Sequence, residues 1–400
     1  MTLLVFLPLP VLALLCRGHT PSRLDTPNLP FWERRLPHRV PPRHLYALTT
    51  LSSDTVQVSD HTQREALLRT DEAKLLLGAE HLHRGTAAPA GLWLETACAW
   101  GRENRGLREK QDRVAARLMS VQAEDGFLGT RPVTARWTGQ ETRAQAACLR
   151  GLLAYYALTQ RPAAIFTALS AADRMLAENP FDPCLALPLT RLYQATSDAR
   201  YLGIARQLVS RGGDDGLGLC ALYEATGRPE YLAQAQGVWA GNSTSRTPAL
   251  TAELLLLTGR PQYTAALNLH TLNQPTHPGP ELRRTAWART PHGFALSTEK
   301  ECVGDFSGMR LTQRNAPGSK ARSITIAGAK ATEFTLQVFL PQGPASYIWV
   351  DGIRLRTAEK PGGYAVISRR WRGGDVVTIK ATVGTSPGNK CSPSPSERRA

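Results

Sequence analysis

The amino-acid sequence predicts an α + β multidomain protein in which an array of helical hairpins is followed by a small all-β module. Near-identical helix-turn-helix junctions recur along much of its 400 residues. After about residue 295 the apolar spacing changes from three and four residues to alternation, which is typical of strands. With 42% hydrophobic and 20% charged residues, the chain can bury a core large enough for two or three domains.

The first 63 residues lack the periodicity of either element. Residues 3–15 read LLVFLPLPVLALL, an apolar run shorter than the ~20 residues that span a bilayer. This run predicts a signal peptide over residues 1–20, and hence a secreted or periplasmic protein without an integral membrane segment in its mature chain. Residues 21–63 begin with a proline-rich stretch and predict an extended N-terminal strap.

Residues 64–285 predict helical hairpins that resemble one another. Residues 192–202 read LYQATSDARYL and residues 222–232 read LYEATGRPEYL, with shorter copies, LTGRPQY and YALTQRP, at 257–263 and 156–162. Each copy predicts the end of one helix, a tight turn at its C-cap, and the start of the next helix, in most copies with proline in the first turn. An open solenoid and a closed (α/α) barrel both fit this repeat.

Residues 295–383 predict the β module. Four short runs, alternating or rich in β-branched residues, are separated by glycine, proline and aspartate, and lie at residues 323–326, 334–340, 347–350 and 376–380. Runs of this kind favour a β-sandwich. Residues 384–400 are rich in serine, proline and arginine and predict an unstructured tail.

The charge and the cysteines limit the classes of partner and cofactor. The chain carries 48 basic and 33 acidic residues, a formal charge of +15, but its arginines are scattered. Without a basic run or a zinc-finger spacing, no nucleic-acid partner is expected. The seven cysteines form no Cys-x-x-Cys pair, so the sequence predicts no metal ligands. Cys98, Cys148, Cys184 and Cys220 are interpreted as buried thiols, while a disulfide between two of them stays open.

Three carboxylates are candidates for catalysis. Glu95 lies on an apolar helix beside Trp93, where it would act as an acid or base if it points into a barrel and is otherwise a surface residue. Asp125 precedes Gly126 in a loop, where Asp-Gly is foremost a turn signal. Glu141 stands in the first turn of a helix, a position that the helix dipole alone favours for an acid.

Two tryptophans and one aspartate are candidates for substrate binding. Trp93 and Trp137 each offer a flat apolar face on which a sugar ring can stack. Asp214 lies in a glycine-containing loop beside Asp215, although adjacent loop residues seldom aim in the same direction. The sequence thus predicts a polar, aromatic site suited to sugars.

Several further stretches occur in an order that resembles one known family. Residues 31–36 read FWERRL, residues 91–95 read GLWLE, residues 122–130 read QAEDGFLGT and residues 363–375 read GYAVISRRWRGGD. The ordered set resembles glycoside hydrolase family 127, the β-L-arabinofuranosidase-like proteins, over most of the chain. This resemblance implies an (α/α)6-type helical barrel followed by a C-terminal β-sandwich.

The resemblance also implies a metal site whose ligands this sequence lacks. Active members of the family hold zinc with a glutamate and cysteines, and a zinc-bound thiolate is the nucleophile. Such a site needs a Glu-x-Cys pair and an adjacent Cys-Cys. The matching stretches here read AGNS at residues 240–243 and KECV at residues 300–303. We therefore expect no retained zinc or other cofactor, and the zinc-thiolate mechanism is not transferred.

Two functions fit these observations. The first is hydrolysis of O-glycosidic bonds in arabinose-type or related glycans by carboxylates such as Glu95, Asp125 and Glu141. The second is a catalytically inactive protein of the same fold that binds a glycan or an envelope polymer. Both have an oligo- or polysaccharide as partner, and the sequence leaves the oligomeric state open.

Overall fold

The folded elements lie between residues 47 and 381 of a computed structural model. All of them belong to one unit, residues 38–400. The predicted signal peptide, the predicted tail and most of the predicted strap lie outside the described residues. The structure describes residues 47–50, 56–58, 62–70, 87–101, 104–129, 132–136, 139–178, 182–211, 215–241, 247–273, 280–306, 308–316, 321–328, 330–341, 346–355 and 361–381.

Helices dominate the described residues up to position 286. They are α1 (Thr62–Arg69), α2 (Ala87–Ala99), α3 (Arg105–Ser120), α4 (Gly139–Thr159), α5 (Pro162–Glu178), α6 (Ala186–Thr196), α7 (Ala199–Ser210), α8 (Gly216–Thr226), α9 (Pro229–Gly241), α10 (Pro248–Thr258), α11 (Pro261–Asn273) and α12 (Pro280–Ala286). From α2 onward, successive even-numbered helices contact one another, and each odd-numbered helix packs against the even-numbered helix before it. The even-numbered helices therefore form the inner wall of a barrel.

Two contacts join the last inner helix to the start of the array. Arg283 of α12 donates from Nη1 to the carbonyl of Trp100, directly after α2, over 2.9 Å. Its guanidinium also lies 5.5 Å from the centroid of the Trp100 ring. Because α12 reaches the end of α2, the hairpins form a ring, so the closed (α/α) barrel is confirmed over the open solenoid.

Four inner helices end in the same turn, as the repeated sequence predicts. The cap residues have left-handed φ angles between 55° and 71°, and they are Gln160, Ser197, Gly227 and Gly259. In the third copy, Thr226 Oγ1 donates to the carbonyl of Leu222 over 2.6 Å and accepts the N–H of Arg228 over 3.3 Å. The other three copies repeat both bonds. The threonine therefore fixes the direction in which the chain leaves each inner helix.

Replacing Ser197 with glycine is expected to raise the free energy of unfolding by up to about 1 kcal/mol. Ser197 holds φ at 61°, a region that strains residues with a Cβ and that glycine adopts freely. Part of the gain is lost because glycine also gains freedom in the unfolded chain. Urea unfolding followed by circular dichroism measures the change. Gly227→Ala is the matched control and should lower stability, and a destabilised Ser197→Gly protein would contradict the strain argument.

Two β-sheets accompany the barrel, and most of their strands follow it in sequence. Their strands are β1 (Thr49–Thr50), β2 (Val56–Val58), β3 (Trp287–Thr290), β4 (Gly293–Leu296), β5 (Cys302–Phe306), β6 (Met309–Asn315), β7 (Ala321–Gly328), β8 (Thr332–Phe339), β9 (Ser346–Val350), β10 (Ile353–Leu355), β11 (Tyr364–Trp371) and β12 (Val376–Ala381). One sheet has the order β1-β3-β4-β8-β11 and the other β10-β9-β12-β7-β6-β5-β2. Described strand pairs are antiparallel except β4 with β8.

The apolar faces of the two sheets enclose one core. Trp287 and Trp371 from the first sheet pack in the same cluster as Leu311 and Ile324 from the second, and all four are fully buried. The alternation that predicted strands has the same origin, since every second residue enters this core. The C-terminal strands thus form the predicted sandwich.

Two strands of the sandwich come from the segment predicted to be an extended strap. In β1, Thr49 pairs with Arg289, and in β2, Val56 pairs with Gly304, so each strand adds an edge to one of the sheets. The carbonyl of Val56 also accepts a 3.1 Å hydrogen bond from Arg283 of α12. Residues that precede the barrel in sequence therefore link it to the sandwich.

Most of the described cysteines are core residues, as the sequence predicts. Cys98, Cys148 and Cys220 are buried in inner helices, and Cys302 is buried in the sandwich. Cys184 differs, because it is only partly buried and its thiol interacts with Asp182. Within the described ranges, no helix is long and apolar enough to cross a membrane.

Candidate functional site

The candidate site begins where α2 and α4 approach each other most closely. A Cβ placed on Gly91 would lie 2.4 Å from the carbonyl oxygen of Ala147, and one on Gly151 would lie 2.5 Å from that of Gly91. This proximity brings Glu95 and Arg150 together. Arg150 donates from Nε and Nη2 to Glu95 Oε1 over 3.1 and 3.0 Å, and its Nη2 lies 2.9 Å from Oε2.

A second ion pair connects α6 with α8. Arg191 Nη1 donates to Glu224 Oε2 over 2.6 Å and to the side-chain oxygen of Gln194 over 2.9 Å. The Glu224 side chain is only 2% exposed, whereas that of Arg191 is 38% exposed. The carboxylate therefore lies behind the guanidinium, which faces solvent.

A third ion pair connects α10 with α12. Arg284 Nη2 donates to Glu253 Oε1 over 2.9 Å. Glu253 is again the more buried partner, with 10% of its side chain exposed against 38% for Arg284. Glu281, one turn before Arg284, lies within the electrostatic reach of Glu253 and of Glu95. Glu281 of α12, the last inner helix, therefore interacts electrostatically with Glu95 of α2, the first one.

Asp215 adds a further carboxyl group at the start of α8. Its Oδ1 caps the helix by accepting the N–H of Gly218 over 3.0 Å. Burial raises the pKa of Asp215, although the charge of Arg150 acts in the opposite direction. We call these eight residues of the inner wall the inner polar layer: Glu95, Arg150, Arg191, Asp215, Glu224, Glu253, Glu281 and Arg284.

Two carboxyl groups of the inner polar layer have pKa values shifted in opposite directions. Burial raises the pKa of Glu281, and the charges of Glu95 and Glu253 raise it further against the opposing effect of Arg284. Burial also acts to raise the pKa of Glu253, but Arg284 and Arg191 outweigh it and hold this pKa below its usual value. Glycoside hydrolysis uses two carboxyl groups whose pKa values are shifted in these two directions, one toward the acid form and one toward the carboxylate.

Of the residues predicted from sequence, Glu95 lies in the inner polar layer. Trp93 does not, because residues two apart on a helix point about 200° apart and Trp93 packs under Lys110 of the outer helix α3, 5.4 Å from its Nζ. Trp137 and Asp214 lie outside the described residues. Their predicted substrate contacts stay predictions.

The other two predicted carboxylates have local partners. Asp125 accepts the N–H of Phe127 over 3.1 Å and a hydrogen bond from Arg136, so it fastens a turn between helices. Glu141 is 1% exposed and lies two helical turns before Cys148. Burial raises the pKa of that thiol to about 12, and the charge of Glu141 contributes. A catalytic role for either residue stays a prediction.

Comparison with known proteins identifies the family. The family model "Beta-L-arabinofuranosidase, GH127 catalytic domain" matches residues 48–245, and the model "Beta-L-arabinofuranosidase, GH127 middle domain" matches residues 296–383. The chain belongs to glycoside hydrolase family 127. It is a carbohydrate-active protein that resembles β-L-arabinofuranosidases. No curated protein sequence matches it.

Solved structures of glycoside hydrolases, two of them from family 127, share the fold of this chain. One is a β-arabinofuranosidase with 16% identity and a TM-score of 0.68, in which the match covers 85% of this chain and 81% of that one. A β-L-arabinofuranosidase from Geobacillus stearothermophilus T6 has 15% identity, a TM-score of 0.59 and coverage of 82% and 81%. A protein described as a glycoside hydrolase has 15% identity, a TM-score of 0.62 and coverage of 85% and 79%.

The residues that the structure describes in this family 127 member do not fit the zinc centre that the family implies. Among the residues that the structure describes, no group of three His, Cys, Asp or Glu side chains could hold a metal ion. In the inner polar layer, Arg191 and Arg284 already supply the positive charge beside Glu224 and Glu253. Cys302, the cysteine of the KECV stretch, is buried among the apolar side chains of the sandwich.

Proposed function

We propose that this chain hydrolyses O-glycosidic bonds of arabinose-type glycans with carboxyl groups of the inner polar layer and without zinc. The opposed pKa values of Glu281 and Glu253 within one layer carry the proposal. A carboxyl group with a raised pKa is suited to protonate a departing sugar oxygen, while an ionised carboxylate can attack the anomeric carbon or activate water. These are the two halves of glycoside hydrolysis.

In this proposal Glu281 is the general acid and Glu253 is the ionised carboxylate. Glu281 donates its proton to the glycosidic oxygen as the C–O bond breaks. Glu253, held ionised by Arg284, stabilises the positive charge that develops on the sugar ring and supplies the nucleophile or the base. Glu95 acts through Glu281, because its negative charge favours the protonated form of that acid.

The arginines of the layer are the proposed contacts to the sugar. The side chains of Arg150, Arg191 and Arg284 are 28%, 38% and 38% exposed, so their donors remain accessible from the solvent side. Each already engages a carboxylate, which holds the guanidinium in place before a ligand binds.

We also propose that the protein is secreted or periplasmic, on the basis of the apolar run at residues 3–15.

Aryl β-L-arabinofuranosides, within a broader panel of aryl glycosides, test the proposed activity. We expect turnover by the full chain that survives dialysis against a zinc chelator and falls at least about 100-fold in Glu253→Gln. Glu230→Gln, an exposed acid on the outer helix α9, is the matched control and should keep full activity. If correctly folded protein turns over none of the panel, hydrolysis is excluded.

A glycan-binding protein without turnover is the second candidate. It is favoured by the ion pairs themselves, since Glu95, Glu224 and Glu253 are each held by an arginine as hydrogen-bonded recognition groups would be. Calorimetry with arabino-oligosaccharides, followed by product analysis, separates the two candidates. Heat without product supports binding alone, heat with product supports hydrolysis, and no heat with any glycan excludes both.

The pH dependence of kcat/KM should have two limbs that different residues control. Glu253 must be ionised and Glu281 protonated, so activity falls below the lowered pKa of Glu253 and above the raised pKa of Glu281. Burial is the main cause of the raised pKa of Glu281, and the charge of Glu95 adds to it. In Glu95→Gln this added charge is absent, and the alkaline limb should move to lower pH. Glu109→Gln, an exposed acid on α3, should move neither limb. An unchanged alkaline limb in Glu95→Gln would rule out Glu281 as the acid.

A further inference from the structure

The outer face of the larger sheet is polar and carries two half-exposed aromatic rings. Residues that alternate with the sandwich core point outward from β6, β7, β9 and β12. On β9 these are Tyr347 and Trp349, whose ring centroids lie 6.1 Å apart. Neither ring belongs to the sandwich core, so their position is not explained by the packing of the two sheets.

Strand register places five outward residues in one line across five strands. Arg354 of β10 pairs with Trp349 of β9, and Trp349 pairs with Thr378 of β12. Thr378 pairs with Ser323 of β7, which pairs with Arg314 of β6. Neighbouring strands lie about 4.8 Å apart, so this line is roughly 19 Å long. We call it the cationic row, since an exposed arginine stands at each end.

The aromatic rings hold two cations in place at the β10 end of this row. The Arg354 guanidinium lies 3.9 Å from the centroid of the Tyr347 ring, and the Lys380 ammonium lies 5.1 Å from that of Trp349. Such cation–π contacts restrict the long side chains while the charges stay in solvent. Lys380 is paired with Tyr347 across the strands, so Arg354 and Lys380 both lie against the two aromatic rings.

Two carboxylates near the row have hydrogen-bond partners within the same sheet. Asp305, on the neighbouring strand β5, forms a two-point ion pair with Arg310 over 2.7 and 3.0 Å. Glu301 accepts the backbone N–H of Asn315 over 3.0 Å. The row itself consists of two arginines, one tryptophan and two hydroxyl residues, and therefore has a net positive charge that complements a linear anionic polymer.

We propose that the cationic row binds an acidic polysaccharide, with carboxylates of the polymer on Arg314 and Arg354 and sugar hydroxyls on Thr378 and Ser323. Trp349 provides an apolar surface for a sugar ring between the two ends. A linear chain of sugars fits a straight row on a sheet, and its acidic groups account for the cations at both ends. The row lies on the sandwich, so the proposal stands whether or not the barrel hydrolyses a glycosidic bond.

Affinity electrophoresis of the full chain in gels containing polygalacturonate tests the proposal. We expect retardation by polygalacturonate and none by dextran, a neutral polymer. The double variant Arg314→Gln/Arg354→Gln should lose at least about tenfold in affinity, and Trp349→Ala should also weaken binding. Raising the salt to about 0.5 M should weaken binding to polygalacturonate, because surface charges are then screened.

Two controls separate this row from general attraction to a basic protein. Arg289→Gln and Arg372→Gln each remove one exposed arginine outside the row, and the pair matches the charge change of the double variant. Equal losses in the control pair and in the double variant would overturn the proposal. So would stronger retardation by single-stranded DNA than by polygalacturonate, since this identifies a nucleic-acid surface. Circular dichroism melts of each variant show that the sandwich is folded.

Discussion

Replacing Glu281 with glutamine should lower kcat by about 100- to 10,000-fold, the usual contribution of a positioned general acid. Glutamine keeps the size of the side chain but has no acidic proton to give to the departing oxygen. The loss should be smaller for aryl glycosides whose leaving groups are strong acids, because these need little protonation. Steady-state kinetics with a series of aryl leaving groups measures both effects.

The same variant should become more stable relative to wild type as pH rises. A carboxyl group with a raised pKa in the folded state stabilises that state while it is protonated, and this contribution is lost as pH rises through the raised pKa. Glutamine does not titrate, so the stability of Glu281→Gln does not fall in this way as pH rises. Urea unfolding from about pH 4 to pH 8 should show the difference growing over that window. A difference that does not vary with pH would mean that the pKa of Glu281 is not raised.

Opposite changes in activity and stability would distinguish a catalytic acid from a structural one. A buried carboxyl group kept for its contacts weakens the fold when it is replaced. One kept for its proton leaves the fold intact or improves it, while turnover disappears. The control is Glu178→Gln at the end of α5, where Glu178 pairs with Arg174 on the outer wall. That change should leave turnover unaffected at every pH.

The turns between helices were predictable from sequence because their determinants are local. Thr226 bonds backbone groups within one helical turn of itself, and Gly227 adopts the left-handed φ of the turn without strain. The same local pattern predicts the turns at Ser197 and Gly259. The strands were predictable for a similar reason, since alternation reports which face is buried. Local chemistry therefore predicted the order of elements.

Apart from Glu95, the inner polar layer was not predicted, because its ion pairs join residues from different helices. Arg191 and Glu224 are 33 positions apart, and Glu95 and Arg150 are 55 apart. A signal was nevertheless present in the repeats. Arg191 and Glu253 each stand five positions before the threonine of their turn, which places them at the same level of the inner wall. Aligning the copies on that threonine would have indicated Glu253 as an inward-facing acid.

The edge strands β1 and β2 were missed for a different physical reason. They are two and three residues long, too short for the alternation of Val56, Gln57 and Val58 to predict a strand. Their conformation is imposed by sheet edges whose strands lie more than 200 positions later, as the pairing of Thr49 with Arg289 shows. The strand propensity of a short segment does not depend on a partner strand so far along the sequence. The segment was therefore predicted to be an extended strap.

Replacing Gly91 with alanine should lower the free energy of unfolding by about 3 kcal/mol or more. The new Cβ would lie 2.4 Å from the carbonyl oxygen of Ala147 and 2.6 Å from the backbone nitrogen of Cys148. Backbone atoms cannot rotate away as a side chain does, so α2 and α4 must separate along their whole contact. Overpacking of a rigid core usually costs 1 to 3 kcal/mol, and a clash between two helix backbones lies at or above the upper end of that range.

Separating α2 from α4 should also change the site, because this contact aligns Glu95 with Arg150. Gly151→Ala meets the carbonyl oxygen of Gly91 at 2.5 Å and should have an equal effect. Gly203→Ala and Gly237→Ala are the matched controls, since a Cβ on either meets nothing within 4 Å and alanine should add up to about 1 kcal/mol of helix stability. Gly91→Ala and Gly151→Ala should each lower the stability measured by urea unfolding and also shift the alkaline limb of the pH profile. The two control variants should do neither. If Gly91→Ala is as stable as wild type, the two helices do not make the contact that positions Glu95.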